Sequence, residues 1–344
     1  MADLIPFVYA ENLLEASKEH CLIDARSPAE FLAGHIPGAV NIPILDDAQR
    51  HEVGLCYKQN GKEAAVELGF QLVGGDLVNK IRFAKQCVQE LPVLVYCWRG
   101  GQRSAILSWL LSAAGLKVCR LMGGYKAYRQ FALQQFVQPH TLVMITGKTG
   151  SGKTELLHEL VKQNEFVIDL EGLANHRGSA FGGIEMPPQP TQEHFENLLA
   201  WQLSTMHQRL IWVEGESRFI GKLRIPDHFF AQMQNCRSVQ IEQNLSRRIH
   251  RILKEYGEFD HTVLREKTQS ITKRMGGDRV KLSLEALESG DMEAWLIPLL
   301  EYYDKTYMHS IDSRSIPPMR LEIDGLEMHK IVSEIIAYGK NGNA

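Results

Sequence analysis

Short apolar runs alternate with helical patterns along the first part of the chain. SAILSWLLSAAG (104–115) has helical spacing and ends at Gly115, a residue typical of helix C-termini, and GGYKAYRQFALQQFV (123–137) predicts a last helix. Strands that alternate with helices indicate a parallel α/β sheet. The runs that predict buried strands are CLIDAR (21–26), LPVLVYC (91–97) and KVCRLMGG (117–124).

A second α/β pattern begins with TLVMITGKTGSGKTELLHELVKQ, which predicts a strand, a glycine loop and a helix in succession. EFVIDLEG (165–172) and RLIWVEGES (209–217) predict two more strands that end in carboxylates, and helical patterns dominate from about residue 242, including 283–307. We therefore predict two α/β domains. Residues 1–138 form the first, and residues 139–344 form a P-loop NTPase-like domain with a helical C-terminal part.

Composition narrows the class of protein. The 344 residues are 44% hydrophobic and 23% charged, as in a globular protein, and no apolar run approaches the ~20 residues that span a bilayer. The first residues lack the basic and apolar regions of a secretion signal, so we predict a cytoplasmic protein without a membrane partner. The six cysteines show no CxxC spacing, which argues against a disulfide framework or a zinc site.

Charge is unevenly distributed. The net charge is −3, yet residues 247–281 carry ten basic and five acidic side chains. Such a segment can attract a polyanion, and a solvated helix face with i,i+4 ion pairs explains the same charges equally well. The candidates for nucleic-acid phosphate contacts are Arg247, Arg248, Arg251, Lys273, Arg274 and Lys281.

The segment YCWRGGQRS places a cysteine between a predicted strand and a predicted helix. Backbone N–H groups, the helix N-terminus and two arginines converge there, which favours a thiolate and can hold an anion. A buried structural cysteine is the alternative. The candidate catalytic residues are Cys97, Arg99 and Arg103, and the candidate loop residues are Trp98, Gly100, Gly101, Gln102 and Ser104.

GKTGSGKT satisfies the P-loop pattern GxxxxGK[ST] in full, in the strand–loop–helix context that it requires. Its phosphate-binding candidates are Gly147, Gly150, Ser151, Gly152, Lys153 and Thr154. The Mg²⁺-associated carboxylate is Asp169 or Glu214, and residue type favours Asp169. Such a loop binds phosphates without implying hydrolysis, so a diphosphate attached to something other than a nucleoside fits it. His176 and Arg177, in a polar loop nearby, are either substrate contacts or solvated residues.

The first part resembles a rhodanese domain. LIDARSPAEFLAGHIPGAVNIP (22–43) matches the opening signature of that family, LMGGYKAY (121–128) matches its closing segment, and Cys97 falls at its persulfide-forming cysteine. One departure is the C-x5-R spacing from Cys97 to Arg103. This loop is longer than that of most sulfurtransferases and is similar to that of rhodanese-like phosphatases. We therefore expect that it can also bind a tetrahedral phosphate-like group.

The order of the rhodanese motifs, the P-loop and DLEGLANHRGSAFG resembles the bacterial tRNA 2-selenouridine synthase family over essentially the whole chain. The resemblance implies a transferase that acts on the anticodon region of tRNA and converts wobble 2-thiouridine to 2-selenouridine. It further implies geranyl diphosphate and selenophosphate as co-substrates, with Mg²⁺ at the P-loop and Cys97 as the chalcogen-carrying residue. The alternative is a rhodanese-type phosphatase or sulfurtransferase with an appended nucleotide-binding domain.

Overall fold

The computed structural model of the protein describes residues 5–312, 314 and 316–341. Up to residue 137 these residues form a run of short strands and longer helices. Those elements are β1 (Phe7–Val8), α1 (Leu13–Glu19), β2 (Cys21–Asp24), α2 (Pro28–Ala33), β3 (Val40–Asn41), α3 (Asp47–Val73), α4 (Leu77–Val88), β4 (Val93–Tyr96), α5 (Gln102–Ala113), β5 (Val118–Leu121) and α6 (Gly124–Val137).

These strands form one parallel sheet in the order β1-β5-β4-β2-β3. The central strand β4 is fully apolar and its four residues are completely buried, as expected for a parallel strand covered by helices on both faces. Cys97 follows β4 directly. Because ligands bind at the carboxyl ends of parallel strands, the topology places this cysteine at the edge of the sheet where a site is expected.

The rest of the chain forms a second α/β arrangement. Its elements are β6 (Thr141–Gly147), α7 (Lys153–Lys162), β7 (Phe166–Ile168), α8 (Leu170–Ala174), α9 (Gln192–Thr205), β8 (Leu210–Glu214), β9 (Phe219–Ile220), β10 (Leu223–Arg224), α10 (Asp227–Asn235), β11 (Arg237–Glu242), α11 (Leu245–Tyr256), α12 (His261–Ser270), α13 (Thr272–Met275), α14 (Gly277–Ser289), α15 (Met292–Asp312), β12 (Met319–Glu322) and α16 (Met328–Lys340).

The second sheet is also parallel, in the order β12-β11-β6-β8-β7, and β9 and β10 form a separate antiparallel pair. The P-loop follows the central strand β6, and Glu214 ends the neighbouring strand β8. Adjacent parallel strands end at the same edge of a sheet, so this order brings the P-loop and Glu214 together.

The chain divides into two compact units. The first unit runs to Gln135 and includes Thr191–Thr205, and the second contains Phe136–Pro190 and the residues from Met206 onward. Helix α9 therefore packs in the first unit although the P-loop precedes it in the chain. The predicted division at 138/139 assigned this helix to the second domain, and nothing in its sequence pattern indicated otherwise.

The predicted α/β class and parallel sheets are confirmed, including the helix that ends at Gly115, where φ is +89°. Six of the described strands escaped the sequence pattern. β1, β3, β9 and β10 are only two residues long, and β11 and β12 lie between helices. The helical pattern over 283–307 is two helices, since Gly290, with φ +78°, ends α14 before α15 begins. Across the described residues, none of the helices combines the length and apolarity needed to cross a bilayer.

Candidate functional site

The loop after β4 has its carbonyl oxygens occupied by donors from neighbouring elements. The N–H groups of Tyr125 and Lys126, in the first turn of α6, donate to the carbonyl oxygens of Cys97 and Trp98 at 2.8 and 2.9 Å. Arg120 Nη2 donates to the carbonyl oxygen of Gly100 at 2.5 Å. Because these carbonyl dipoles are already hydrogen-bonded, they are less able to repel an anion beside the thiol.

A glycine on α6 makes this close approach possible. A Cβ atom at Gly124 would lie 2.2 Å from the carbonyl oxygen of Cys97 and 2.4 Å from the nitrogen of Gly100, and φ at Gly124 is +62°. Any other residue therefore meets both a steric and a backbone obstacle. The segment LMGGYKAY thus acts as the platform on which the cysteine loop rests.

The thiol of Cys97 is buried, with 3% of the residue exposed, and donates to Ser104 Oγ at 3.2 Å. Arg103 is half-buried and paired with Glu30 at 2.5 Å. Burial raises the pKa of Glu30, but the hydrogen bond and charge of Arg103 outweigh it and hold that pKa below its usual range. Arg103 is therefore held as a cation near the loop.

The remaining loop candidates are more exposed. Trp98 is 39% exposed, and Arg99, Gly101 and Gln102 are also exposed, whereas Gly100 is half-buried with φ +69°. Trp98 lies 5.7 Å from the Tyr125 ring, between ring centroids. The structure thus places Ser104 beside the Cys97 thiol, pairs Arg103 with Glu30, and leaves Arg99 exposed to solvent.

Helix α9 packs against the platform of the cysteine loop. Tyr125 donates from its hydroxyl to Glu193 at 2.7 Å and accepts from the Asn197 amide at 2.8 Å, and Arg129 pairs with Glu196 at 2.6 Å. Burial raises the pKa of the Tyr125 hydroxyl well above its usual value, so it remains a donor. The sequence did not predict that α9 packs here, because polar contacts between distant residues produce no periodic pattern along the chain.

The P-loop has the backbone that its motif requires. Gly150 and Gly152 have φ of +78° and +90°, α7 begins at Lys153, and Lys153 Nζ lies 3.3 Å from the carbonyl oxygen of Gly147. Thr154 Oγ1 lies 3.4 Å from Glu214 Oε1. The predicted phosphate-binding residues are thus together in one loop at the carboxyl end of β6.

Glu214 rather than Asp169 is the carboxylate beside the P-loop threonine. The Asp169 side chain instead accepts from the N–H of Gly172 at 2.8 Å and caps α8, a local role that the sequence preference for aspartate did not anticipate. Within the described residues, Glu171, Glu214 and Glu216 form the one group of acidic, His or Cys ligands whose atoms all lie within 4.8 Å of one another. We call these three residues the carboxylate trio.

The negative charge of the carboxylate trio is poorly neutralised by its surroundings. Burial first and repulsion within the trio second, opposed by Lys153, together raise the pKa of Glu171 to about 10 and that of Glu214 to about 8. Glu214 is 1% exposed and its Oε2 has no hydrogen-bond partner. A Cβ atom at Gly178 would lie 2.6 Å from Glu171 Oε1 and 2.7 Å from Glu216 Oε2, so a glycine leaves space between these oxygens. Hard carboxylate oxygens with such a space suit Mg²⁺.

Two of the basic residues predicted to contact nucleic acid lie on α11 and donate hydrogen bonds to the P-loop. Arg248 is 3% exposed, donates from Nε to the carbonyl oxygen of Thr149 at 2.9 Å and pairs with Asp304 at 2.6 Å. Arg251 donates to the carbonyl oxygen of Gly150 at 2.7 Å. The nucleic-acid assignment of Arg248 is therefore wrong, because a buried, doubly engaged guanidinium cannot reach a phosphate backbone. Charge counting missed this, since i,i+3 positions on α11 turn partly inward.

The other basic candidates remain exposed. Arg247 is 53% exposed in its side chain and lies 3.8 Å from Asp324, and Lys281 is 76% exposed and lies 3.9 Å from Glu285. Lys273 and Arg274 are also exposed, and Arg274 lines the cavity beside the P-loop. Weak, solvated ion pairs of this kind leave the cations available to a polyanion.

A cavity of about 1270 Å³ opens beside the P-loop in the second unit. Its polar part contains the P-loop, the carboxylate trio, Arg177 and Arg251. Apolar and aromatic residues also line the cavity, which the sequence did not predict, and they belong to the buried core of this part of the chain. We call these residues the apolar wall: Phe181, Ile252, Tyr256, Ile271, Trp295, Leu296, Leu299 and Leu300.

Arg177 lies between the two parts of the cavity. Its guanidinium carbon is 5.8 Å from the centroid of the Tyr256 ring, and its Nη1 is buried without a hydrogen-bond partner. His176, its neighbour in the same loop, packs instead near Gly221. An unsatisfied buried cation at a cavity is expected to bind an anion.

Two family models match the chain. Residues 8–131 match the rhodanese-like domain, and residues 140–325 match the model described as the tRNA 2-selenouridine synthase AAA domain. The first match contains the cysteine loop with its α6 platform. The second contains the P-loop, the carboxylate trio and the apolar wall.

Relatives named tRNA 2-selenouridine synthase align with most of the chain. A protein from Nitrosomonas europaea named tRNA 2-selenouridine synthase is 36% identical over 350 aligned residues, which cover 86% of this chain and 90% of that protein. A protein of the same name from Pseudomonas syringae pv. syringae is 36% identical and covers 92% of this chain and 93% of its own length. Among solved structures, the N-terminal domain of a putative ATP/GTP binding protein from Clostridium difficile 630 is 35% identical over 37% of this chain and 98% of its own, with a TM-score of 0.34.

Proposed function

Because this chain belongs to the tRNA 2-selenouridine synthase family, we propose that it converts wobble 2-thiouridine in tRNA to 2-selenouridine in two steps. In the first, the cavity of the second unit transfers a geranyl group from geranyl diphosphate to the thiouridine sulfur. In the second, selenium from selenophosphate, handled at the Cys97 loop, displaces the geranylated sulfur.

The observation that carries the first step is an apolar wall directly beside a P-loop. Ile252 is the point of contact, because a Cβ atom at Gly150 would lie 2.7 Å from its Cδ1. A nucleoside triphosphate would present a polar base and ribose to this wall, whereas a prenyl diphosphate presents hydrocarbon. Burial of hydrocarbon is favourable by about 25 cal/mol per Å², so the cavity suits the prenyl ligand better.

The first step needs no covalent enzyme intermediate. The C2 sulfur attacks C1 of the geranyl group, the C1–O bond breaks, and pyrophosphate leaves with the electron pair while the N3 proton is lost to solvent. Lys153 and the P-loop N–H groups bind the departing charge. The carboxylate trio and Thr154 would hold Mg²⁺, which when bound supplies positive charge to the pyrophosphate. Arg251 and Arg177 add cations at the cavity.

Alkylation converts the sulfur into a leaving group. Selenide then attacks C2, the C2–S bond breaks, and geranyl thiol departs. Two roles for Cys97 follow from its loop. It can carry selenium as a selenenylsulfide, or its thiolate can attack phosphorus of selenophosphate, so that selenide leaves and water later hydrolyses the phosphocysteine.

The second role is the one we favour, because electrons balance without an oxidant. Forming a selenenylsulfide from a thiol and selenide removes two electrons, whereas attack on phosphorus removes none. The C-x5-R spacing and the Arg103 cation, held by Glu30, suit a tetrahedral phosphoryl group. The adduct on Cys97, read by mass spectrometry after selenophosphate is added, contains phosphorus in this scheme and selenium in the other.

The proposed acceptor is tRNA, bound at its anticodon region. The exposed cations Arg247, Lys273, Arg274 and Lys281 are the proposed phosphate contacts. Affinity should then fall as salt rises, with each contact contributing about one unit of slope. The target base must leave its stack to reach the cavity.

Separating the two steps tests the proposal. A Lys153→Ala protein should lose geranyl transfer but still convert pre-geranylated tRNA to selenouridine tRNA. A Cys97→Ser protein should do the reverse and accumulate geranylated tRNA. Cys119→Ser, which alters another buried cysteine of the same sheet, is the matched control and should perform both steps. Undiminished geranyl transfer by Lys153→Ala would overturn the diphosphate assignment.

A further inference from the structure

Three large side chains that no step of the proposed reaction uses are exposed at the edge of the sheet that carries Cys97. We propose that Tyr9, Met122 and Trp98 form a surface on which unstacked bases of the tRNA anticodon loop bind during the selenium step. We call these three residues the strand-end surface. The inference rests on the proposed function, in which tRNA is the acceptor, and it adds an RNA-binding site in the first unit.

The strand order brings the three side chains together. Tyr9 follows β1, Met122 follows β5 and Trp98 lies two residues beyond the end of β4, and these three strands are neighbours in the sheet. Val8 pairs with Leu121 in parallel register, and the N–H of Met122 donates to the carbonyl oxygen of Val8 at 2.9 Å. Because adjacent parallel strands end at the same edge, the strand-end surface lies beside the cysteine loop.

Each member of the strand-end surface exposes a large side chain to solvent. Tyr9 is 54% exposed, Trp98 is 39% exposed and Met122 is 38% exposed. The Trp98 ring lies 5.7 Å from that of the buried Tyr125, and the Arg26 guanidinium carbon lies 3.8 Å from the centroid of the Tyr125 ring. The indole is therefore supported by buried groups while part of it stays accessible, which suits the stacking of a base.

Two unpaired cations border the strand-end surface. The N–H of Lys126 donates to the carbonyl oxygen of Trp98 at 2.9 Å, and Arg99 is the residue after Trp98. Both cationic side chains are exposed, and within the described part of the chain neither takes part in an ion pair. Exposed aromatic rings beside unpaired cations suit single-stranded RNA, because bases stack on the rings while phosphates pair with the cations.

The strand-end surface also lies where the selenium step needs the base. Selenide released at Cys97 must attack the C2 atom of the geranylated base, so that base has to bind beside the cysteine loop. Trp98 follows Cys97 directly in the chain. The cations proposed above as phosphate contacts all belong to the second unit, so the strand-end surface is a separate RNA contact.

Binding of RNA to the full-length protein provides the test. The probe is a fluorescein-labelled RNA hairpin with the sequence of the anticodon arm and S-geranylated 2-thiouridine at the wobble position, and fluorescence anisotropy measures its Kd. Loss of one stacking ring costs about tenfold in affinity. Tyr9→Ala and Trp98→Ala should therefore each raise Kd about tenfold, and Tyr9→Phe should keep the wild-type value. Lys126→Ala should reduce the magnitude of the slope of log Kd against log salt by about 0.7.

Tyr57→Ala and Lys117→Ala are the matched controls and should bind the hairpin as the wild type does. Tyr57 is 58% exposed on α3, and Lys117 is exposed just before β5, at the opposite edge of the sheet. Thermal unfolding shows which variants are folded. Wild-type Kd values for the folded Tyr9→Ala and Trp98→Ala proteins would overturn the inference, and so would a wild-type protein that does not bind the hairpin.

Steady-state kinetics of the selenium step separate RNA binding from damage to the cysteine loop. Tyr9→Ala should raise the KM for geranylated tRNA about tenfold, as it does Kd, and should leave kcat unchanged. A lower kcat with unchanged KM and Kd would show that Tyr9 supports the loop instead, which would overturn the inference. A wild-type protein that binds the hairpin through this surface but makes no selenouridine would refute the proposed function and leave the RNA site standing.

Discussion

Arg248 ties Asp304 to the P-loop. Its guanidinium donates to both Asp304 oxygens, at 2.8 and 2.6 Å, and to the carbonyl oxygen of Thr149 at 2.9 Å. A residue that the charge pattern placed on a nucleic-acid surface is thus part of the support of the phosphate-binding loop. The distinction has a measurable consequence for stability.

Replacing Arg248 by Leu should destabilise the protein by about 2 kcal/mol, because it leaves the Thr149 carbonyl oxygen unpaired and leaves Asp304 with Lys148 alone, 3.6 Å away. Arg247→Leu is the matched control on the next residue, and a surface change of this kind costs within about 0.5 kcal/mol. Urea unfolding measures both. Equal stabilities for the two variants would contradict the support role.

Gly124→Ala should abolish the selenium step while prenyl transfer continues, because the added Cβ occupies space held by the Cys97 carbonyl oxygen. Gly115→Ala is the control, since its φ is also positive, +89°, but nothing lies within 4 Å of its Cβ. That control should cost about 1–2 kcal/mol of stability from backbone strain alone and keep selenation. Conversion of geranylated tRNA to selenouridine tRNA is the measurement. Normal conversion by Gly124→Ala would refute the claim that the LMGGYKAY segment supports the cysteine loop.

Gly178→Ala should raise the Mg²⁺ concentration needed for half-maximal prenyl transfer by about tenfold or more, because its Cβ would enter the space between Glu171 and Glu216. Gly183→Ala, in the same loop, places its Cβ in ordinary contact 3.4 Å from His176 and should leave the Mg²⁺ requirement unchanged. A titration of activity against Mg²⁺ separates the variants. Identical titration curves would exclude the trio as the metal site.

Stability should fall as acid protonates His194. Burial, together with the neighbouring His35 at 4.1 Å between ring centroids, lowers its pKa from 6.5 to about 4. The unfolded chain therefore binds more protons than the folded one between pH 6.5 and pH 4, so stability is present above that window and is lost through it.

The expected melting temperature therefore decreases from pH 6.5 to pH 4, and less steeply in His194→Phe, which keeps an aromatic ring beside His35. The exposed His207 provides the control, since His207→Phe should retain the wild-type slope. Thermal unfolding across this range is the measurement. A His194→Phe protein with an unaltered slope would show that this histidine does not titrate with folding.

Much of the site is local in sequence and could be predicted from it. Each loop is a single short stretch of sequence: the P-loop glycines lie within a few residues of Lys153 and Thr154, and the cysteine loop runs from Cys97 to Ser104. Residue type and spacing are therefore sufficient to identify both loops. Strand ends supplied Glu214 as a candidate, but residue type alone favoured Asp169, because a capping aspartate and a metal-binding aspartate look identical in sequence.

Backbone propensity, apolar periodicity and glycine spacing are short-range properties, so they were sufficient to predict two parallel α/β sheets, the positions of both loops and the family resemblance. The folded structure was needed to show that Arg248 is buried, that Glu171 and Glu216 join Glu214, that α9 packs in the first unit, and that Phe181 and Trp295 meet. These relationships join residues far apart in the chain, and burial and packing at a distance are determined by the fold as a whole.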